Sequence, residues 1–145
     1  MSVFLDTGVL YAHHDRDATR HDVATRALER VLRSVEYGRP MTSDYVYDET
    51  VTLTHRQTGR VSDAVTVGRR IRGAGYPDAI ELLYSSPRRF EDAVAIYERY
   101  DDHGLNFTDA MTVAMVEHHD VDSVLSFDDD FDGLVDRLVP ETLLD

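Results

Sequence analysis

Cysteine is missing from all 145 positions, which rules out disulfide frameworks and thiolate zinc sites; any metal must be held by oxygen or imidazole. Lysine is missing too, so all 15 basic residues are arginine. Nowhere does an apolar run reach the roughly eighteen residues that a helix needs to cross a bilayer. The apolar start, Val3 to Leu5, meets Asp6 too early for a secretory core. The expectation is a cytoplasmic protein with no membrane role. There is no repeat, low-complexity tract or Pro/Gly/Ser-rich linker to divide the chain. Residues 1–145 are therefore expected to form a single domain, large enough to bury roughly two-thirds of its unfolded surface.

What the chain has in excess is acid: 28 acidic residues against 15 basic ones, a formal charge of −13. Such a field repels nucleic acid and favours basic partners, which argues against a phosphate-binding module that relies on its own cations. The Asp-rich, Lys-free composition resembles that of cytosolic halophile proteins, where molar salt shrinks the screening length to about 3 Å. On that reading most of the acids face solvent. Only their placement can mark a site.

Strands and helices alternate along the chain. Val3, Phe4 and Leu5 read as a strand buried on both faces of a parallel sheet, with Asp6 at its carboxyl end. Thr19 with Asp22 suggests a capping box for a helix carrying Val23, Ala24, Ala27, Leu28, Val31, Leu32 and Val35. Pro40 to Ser43 is a short strand, and Val46, Glu49, Thr50 and Leu53 share one face of a helix ending near Gly59. Ser62 is expected to cap a helix through Ile71, closed by Gly73, Gly75 and Pro77, and Ile80 to Tyr84 is a strand or buried connector. Ser86 and Pro87 open a helix that Gly104 stops. Thr108 is read as the next cap, with Asp109 in the first turn, where free amides and the macrodipole favour negative charge. Val121 to Phe127 is the last clear strand and delivers Asp128, Asp129 and Asp130. This alternation predicts an α/β domain with a mostly parallel sheet and a ligand crevice outside the strands' carboxyl ends.

Four acids stand out by position: Asp6 after the first strand, Glu49 within an apolar stripe, Asp109 at a helix start and Asp128 after the last strand. Carboxylates brought together stay ionised only if cations or donors compensate them, and without lysine a divalent metal is the natural candidate. Mg²⁺ and Mn²⁺ take oxygen ligands, keep several waters and suit phosphodiester hydrolysis. Such an ion also turns a repulsive acidic pocket into one that accepts phosphate.

Four blocks carry a resemblance: Phe4-Leu5-Asp6-Thr7, the Glu49 helix introduced by Thr42-Ser43-Asp44, Phe107-Thr108-Asp109-Ala110, and Val124 to Phe131. In order, spacing and total length they are similar to the signature blocks of PIN-domain nucleases, in particular VapC-type toxins. That resemblance implies a three-layer α/β/α fold and a metal-dependent endoribonuclease that leaves a 5′-phosphate. It further implies an RNA substrate, a homodimer and inhibition by a small antitoxin whose basic or apolar segment fills the acidic groove. Carried over by position, it makes Asp6, Glu49 and Asp109 the principal ligands and Asp128 the fourth acid, with Thr7 and Ser126 assisting through their hydroxyls. Asp130 is a rival to Asp128, which is preferred because it directly follows the strand. Gly8 stands where the family commonly has Ser or Asn, and Ser126 replaces a frequent Thr.

Other readings are weaker. Asp128, Asp130, Asp132 and Gly133 match the start of a calcium loop, but its twelfth position is Val139 and a strand precedes it. An aspartyl phosphatase needs an acid where Gly8 stands, and a receiver domain needs a lysine. His13-His14 and His118-His119 lack the spacing of a zinc helix, and Arg88-Arg89 reads as a solvated face or partner contact. A catalytically inactive PIN-like interaction module is the remaining alternative, because a fold alone does not fix activity.

Overall fold

The computed structural model of the chain describes residues 1–74 and 80–144. Its centre is β1 (Ser2–Leu5), whose Val3, Phe4 and Leu5 are fully buried. On one side it pairs with β2 (Arg39–Ser43), which pairs with β3 (Glu81–Leu83). On the other side lie β4 (Ser123–Leu125) and β5 (Arg137–Leu138). All four pairings are parallel, in the order β3-β2-β1-β4-β5. Six helices complete a three-layer α/β/α arrangement: α1 (Thr7–His14), α2 (His21–Arg33), α3 (Asp44–Thr58), α4 (Val61–Ile71), α5 (Pro87–Arg99) and α6 (Phe107–His119). A parallel sheet needs such crossovers, and the helices bury both of its faces. Among the described residues no helix is long and apolar enough to cross a membrane.

Gly59, at φ 71°, ends α3 as expected, while the cap of that helix is Ser43, the last residue of β2, accepting from Val46 N at 3.2 Å. Ser86 caps α5 by accepting from Arg89 N at 3.1 Å, with Pro87 at the first helical position. Elsewhere the structure corrects the expectation. Residues 7–14, for which the local pattern predicts no element, form α1, and the two-residue β5 has no counterpart in the sequence pattern. Thr19 caps nothing: α2 starts at His21 without a side-chain cap, and Asp22 pairs instead with Arg26 at 3.6 Å. Val35 lies beyond the end of α2 and is almost fully exposed. Ser62 sits inside α4, which begins one residue earlier. Gly104 does not end α5, which stops at Arg99; at φ 77° it turns the chain toward α6. Thr108 is likewise inside α6, whose cap is Asn106. β4 is shorter than the apolar run that announces it. Gly75 and Pro77 lie outside the described residues.

Candidate metal centre

From β1 the chain winds outward through β2 and β3, then crosses back to β4 on the opposite side of β1. The seam between β1 and β4 is where the winding reverses, the place where open α/β sheets hold their ligands. Register sets what meets there. Leu5 pairs with Leu125, so the next residues, Asp6 and Ser126, emerge side by side, and Asp6 N donates to the Leu125 carbonyl at 3.2 Å. Ser126, fully buried, donates its hydroxyl to Asp6 Oδ2 at 2.6 Å and accepts from Asp128 N at 2.9 Å. One hydroxyl therefore fixes one acid and the backbone of another.

Glu49 arrives from the second turn of α3, half-buried beside the fully buried Val46 and Thr50. Asp109 arrives from the first turn of α6, held by a reciprocal capping box: Asp109 N donates to Asn106 Oδ1 at 2.8 Å, and Asn106 N donates to Asp109 Oδ2 at 3.1 Å. Asn106 Nδ2 also reaches Glu49 Oε2, at 3.4 Å. The cap residue thus links the acids of two helices.

All four acids line one cavity of about 530 Å³, together with Thr7, Arg20, Asn106, Phe127 and Asp129. A larger groove, of about 600 Å³, runs along α2 and gathers three arginines and a single acid, so it offers no comparable chemistry. Asp130 does not line the cavity. Its carboxylate lies against Gly104, 3.2 Å from where a Cβ would stand, a tight approach at a position whose φ of 77° already favours glycine. Asp128, Asp129 and Asp130 nevertheless form a triplet in which one carboxylate oxygen from each lies within 4.8 Å of the other two, a triplet that does not include Asp6, Glu49 or Asp109.

The electrostatics separate the deep acids from the rim. Burial pushes Asp6 up to about 6; the Ser126 hydroxyl and Thr7 amide oppose this, while the charges of Glu49 and Asp128 add to it. Burial likewise raises Asp109 to about 7, opposed by the Asn106 amide and reinforced by Asp6, Asp128 and Glu49. Both are nearly inaccessible, at 6% and 5% exposure, so solvent screens them little. Among the described residues no arginine forms a salt bridge to Asp6, Glu49, Asp109 or Asp128. Thr7 Oγ1 is buried beside them without a hydrogen-bond partner. Uncompensated carboxylates around an unpartnered hydroxyl are an oxygen-only donor set, and they fit a hard divalent cation such as Mg²⁺ or Mn²⁺.

Residues 3–135 match the family model of the PIN domain. The chain belongs to the PIN-domain family. Solved structures share its fold at low identity. A Mycobacterium tuberculosis protein, VapC20, described as a sarcin-ricin loop cleaving toxin, is 24% identical at a TM-score of 0.76, over 89% of this chain and 92% of that one. A toxin–antitoxin complex from Klebsiella pneumoniae gives 18% and 0.64, over 95% and 97%. VapBC2 from Rickettsia felis, bound to a promoter DNA fragment, gives 11% and 0.67, over 95% and 98%. No curated protein matches the chain.

Against this PIN domain the remaining sequence expectations sort themselves. The calcium reading loses Asp132, which turns outward to Arg137 at 2.7 Å, and the segment before the loop is β4. His14 pairs with Asp63 at 2.9 Å, the His118 and His119 rings meet edge to face, and Arg89 pairs with Asp92 at 3.5 Å; none of them lines the acid cavity. Gly8 leaves open the space over Phe127, whose ring lies 3.7 Å from where a Cβ would be. Three residues escaped the sequence reading: Asn106, Arg20 and Phe127. Asn106 had a readable signal, an Asn three residues before an acid at a helix start. The other two had none, because their contact is made only by the fold.

Proposed function

We propose that residues 1–145 act as a single PIN nuclease domain, a metal-dependent endoribonuclease of the VapC toxin type. The observation that carries the reading is the set of carboxylates gathered at the β1–β4 seam, Asp6 and Asp109 buried and none of the four in a salt bridge among the described residues. In this reading Asp6, Glu49 and Asp109 hold Mg²⁺ or Mn²⁺, and Asp128 serves as the fourth acid. When bound, such an ion lowers the pKa of water and neutralises charge on the scissile phosphate. The protein's own part is positioning: Ser126 orients Asp6 and the Asp128 backbone, Asn106 orients Glu49 and Asp109, and the Thr7 hydroxyl supplies a further oxygen donor.

The substrate is RNA, cleaved by hydrolysis to leave a 5′-phosphate. That VapC20 is described as a ribosomal-loop-cleaving toxin, and that other neighbours are toxin–antitoxin complexes, supports a toxin whose acidic cavity is closed by a basic or apolar antitoxin segment. A second copy of the chain is a further partner in this reading. Tyr84, Phe90 and Tyr97 leave large aromatic area exposed, with Phe90 and Tyr97 packed on Phe107 at 5.6 and 5.9 Å. The protein works in the cytoplasm, where its RNA is. The test is cleavage of RNA by antitoxin-free protein with Mg²⁺ or Mn²⁺ in high KCl, against Asp6→Asn and Asp109→Asn. Metal-dependent cleavage lost in both variants is expected. Equal cleavage by all three removes the site assignment, and no turnover by the wild type leaves a PIN-like interaction module.

A further inference from the structure

Arg72 and Arg99 lie over the Tyr47 and Tyr100 rings, outside the acid cavity, and among the described residues only Arg20 combines such a contact with a place in its lining. Arg26, Arg39, Arg60, Arg89 and Arg137 each pair with an aspartate or glutamate. Arg20 lines the cavity that holds Asp6, Glu49, Asp109 and Asp128, yet among the described residues its guanidinium makes no salt bridge or hydrogen bond. It lies instead over the Phe127 ring, 4.6 Å from the centroid. Exposed Arg–aromatic contacts of this kind supply a modest attraction and leave the five guanidinium N–H donors uncommitted. Phe127 directly precedes Asp128, so the ring parks the charge at the cavity without neutralising the carboxylates.

A phosphodiester approaching the acids crosses the field of a protein with a formal charge of −13. Among the described residues, Arg20 is the only cation lining its destination. We propose that Arg20 is a substrate-binding residue, donating two N–H groups to the non-bridging oxygens of an RNA phosphate at the cavity, with Phe127 as its platform. Planar, bidentate recognition of phosphate is what distinguishes arginine from a point charge. The inference rests on the nuclease reading above and adds a residue to it.

The test uses the full chain and a fluorescein-labelled single-stranded oligoribonucleotide, comparing wild type with Arg20→Gln and Arg20→Lys. For Arg20→Gln, KM rises about tenfold while kcat stays within about twofold. The log–log salt dependence of kcat/KM becomes shallower by about 0.7, the value of one phosphate contact on a single strand. Arg20→Lys keeps the salt slope and recovers only part of KM. Mn²⁺ affinity by calorimetry stays within about twofold of wild type in both, a separation of substrate binding from metal binding. Unchanged KM and slope overturn the proposal and leave the nuclease reading standing, as does a fall in Mn²⁺ affinity that accounts for the whole loss. If the wild type cleaves nothing, anisotropy with the same RNA decides: binding lost in Arg20→Gln sustains the arginine's role while the nuclease reading fails, and no binding by wild type overturns both.

Discussion

Two sets of aspartates in this molecule have opposite fates. Asp63 and Asp132 sit at the surface, each held by an arginine, Arg60 and Arg137 respectively. His14 for Asp63, and Arg137 for Asp132, supply the largest push holding these carboxyls below the usual range. Asp6 and Asp109 sit at the sheet's carboxyl edge, given hydroxyl and amide donors but no salt bridge, and their carboxyls are held well above that range. The chain has arginines to spare for the first pair and withholds them from the second. Surface acids are thus stabilised in place, whereas the cavity acids are left as a standing demand for positive charge.

Removing one cavity acid is the largest blow to this contrast. Asp6→Asn or Asp109→Asn is expected to lower RNA cleavage about a thousandfold, the scale of losing several kcal/mol of charge stabilisation. Single-turnover kinetics with Mn²⁺ check it, and rates within a factor of a few of wild type would break the contrast.

The same variants should gain stability without metal. Asp6 and Asp109 bind protons more tightly when folded than when unfolded, so the metal-free fold loses stability as pH rises from about 4 through 6 and 7. Holding one of them ionised at pH 8 costs roughly 3 kcal/mol. Asp6→Asn in EDTA should therefore melt several degrees higher than wild type at pH 8 and much closer to it at pH 4. Mn²⁺ at about a hundred times its Kd should stabilise the wild type by about 2.7 kcal/mol at pH 8, and much less at pH 5 where protons compete. A metal-free melting temperature that climbs steadily from pH 5 to 8 would contradict the burial of uncompensated charge.

Asn106→Ala probes the link between the two helices. It removes the α6 cap and the contact to Glu49, so we expect about 1 kcal/mol lost and Mn²⁺ bound about tenfold more weakly. Denaturant midpoints and calorimetry measure the two effects separately. Asp132→Asn is the smallest change: it breaks an exposed ion pair and should leave stability and Mn²⁺ affinity within the scatter of surface substitutions.

Much of this layout is written locally. The apolar triplet of β1, the Ser86 cap and the Gly59 stop each need only a few neighbouring residues, and each forms where the pattern points. The α/β layering follows from their alternation; Asp6 could be singled out because it follows β1, and Asp128 because the apolar run before it reads as a strand, although β4 itself stops at Leu125. What escaped is made by tertiary context. The eight residues of α1 carry Gly8 and a mostly buried surface, so they lack the two-sided pattern of a surface helix. β5 exists only as a partner for β4. The meeting of Arg20 with Phe127 depends on loops from opposite ends of the chain, which no local spacing records.

The Ser126–Asp6 hydrogen bond spans 120 positions, so the pocket has no local precursor. Until β4 docks beside β1, Asp6 lacks the hydroxyl that orients it and the Asp128 backbone lacks its anchor. Assembly of the acid cavity is therefore tied to closure of the whole sheet, and loosening β4 alone dismantles it.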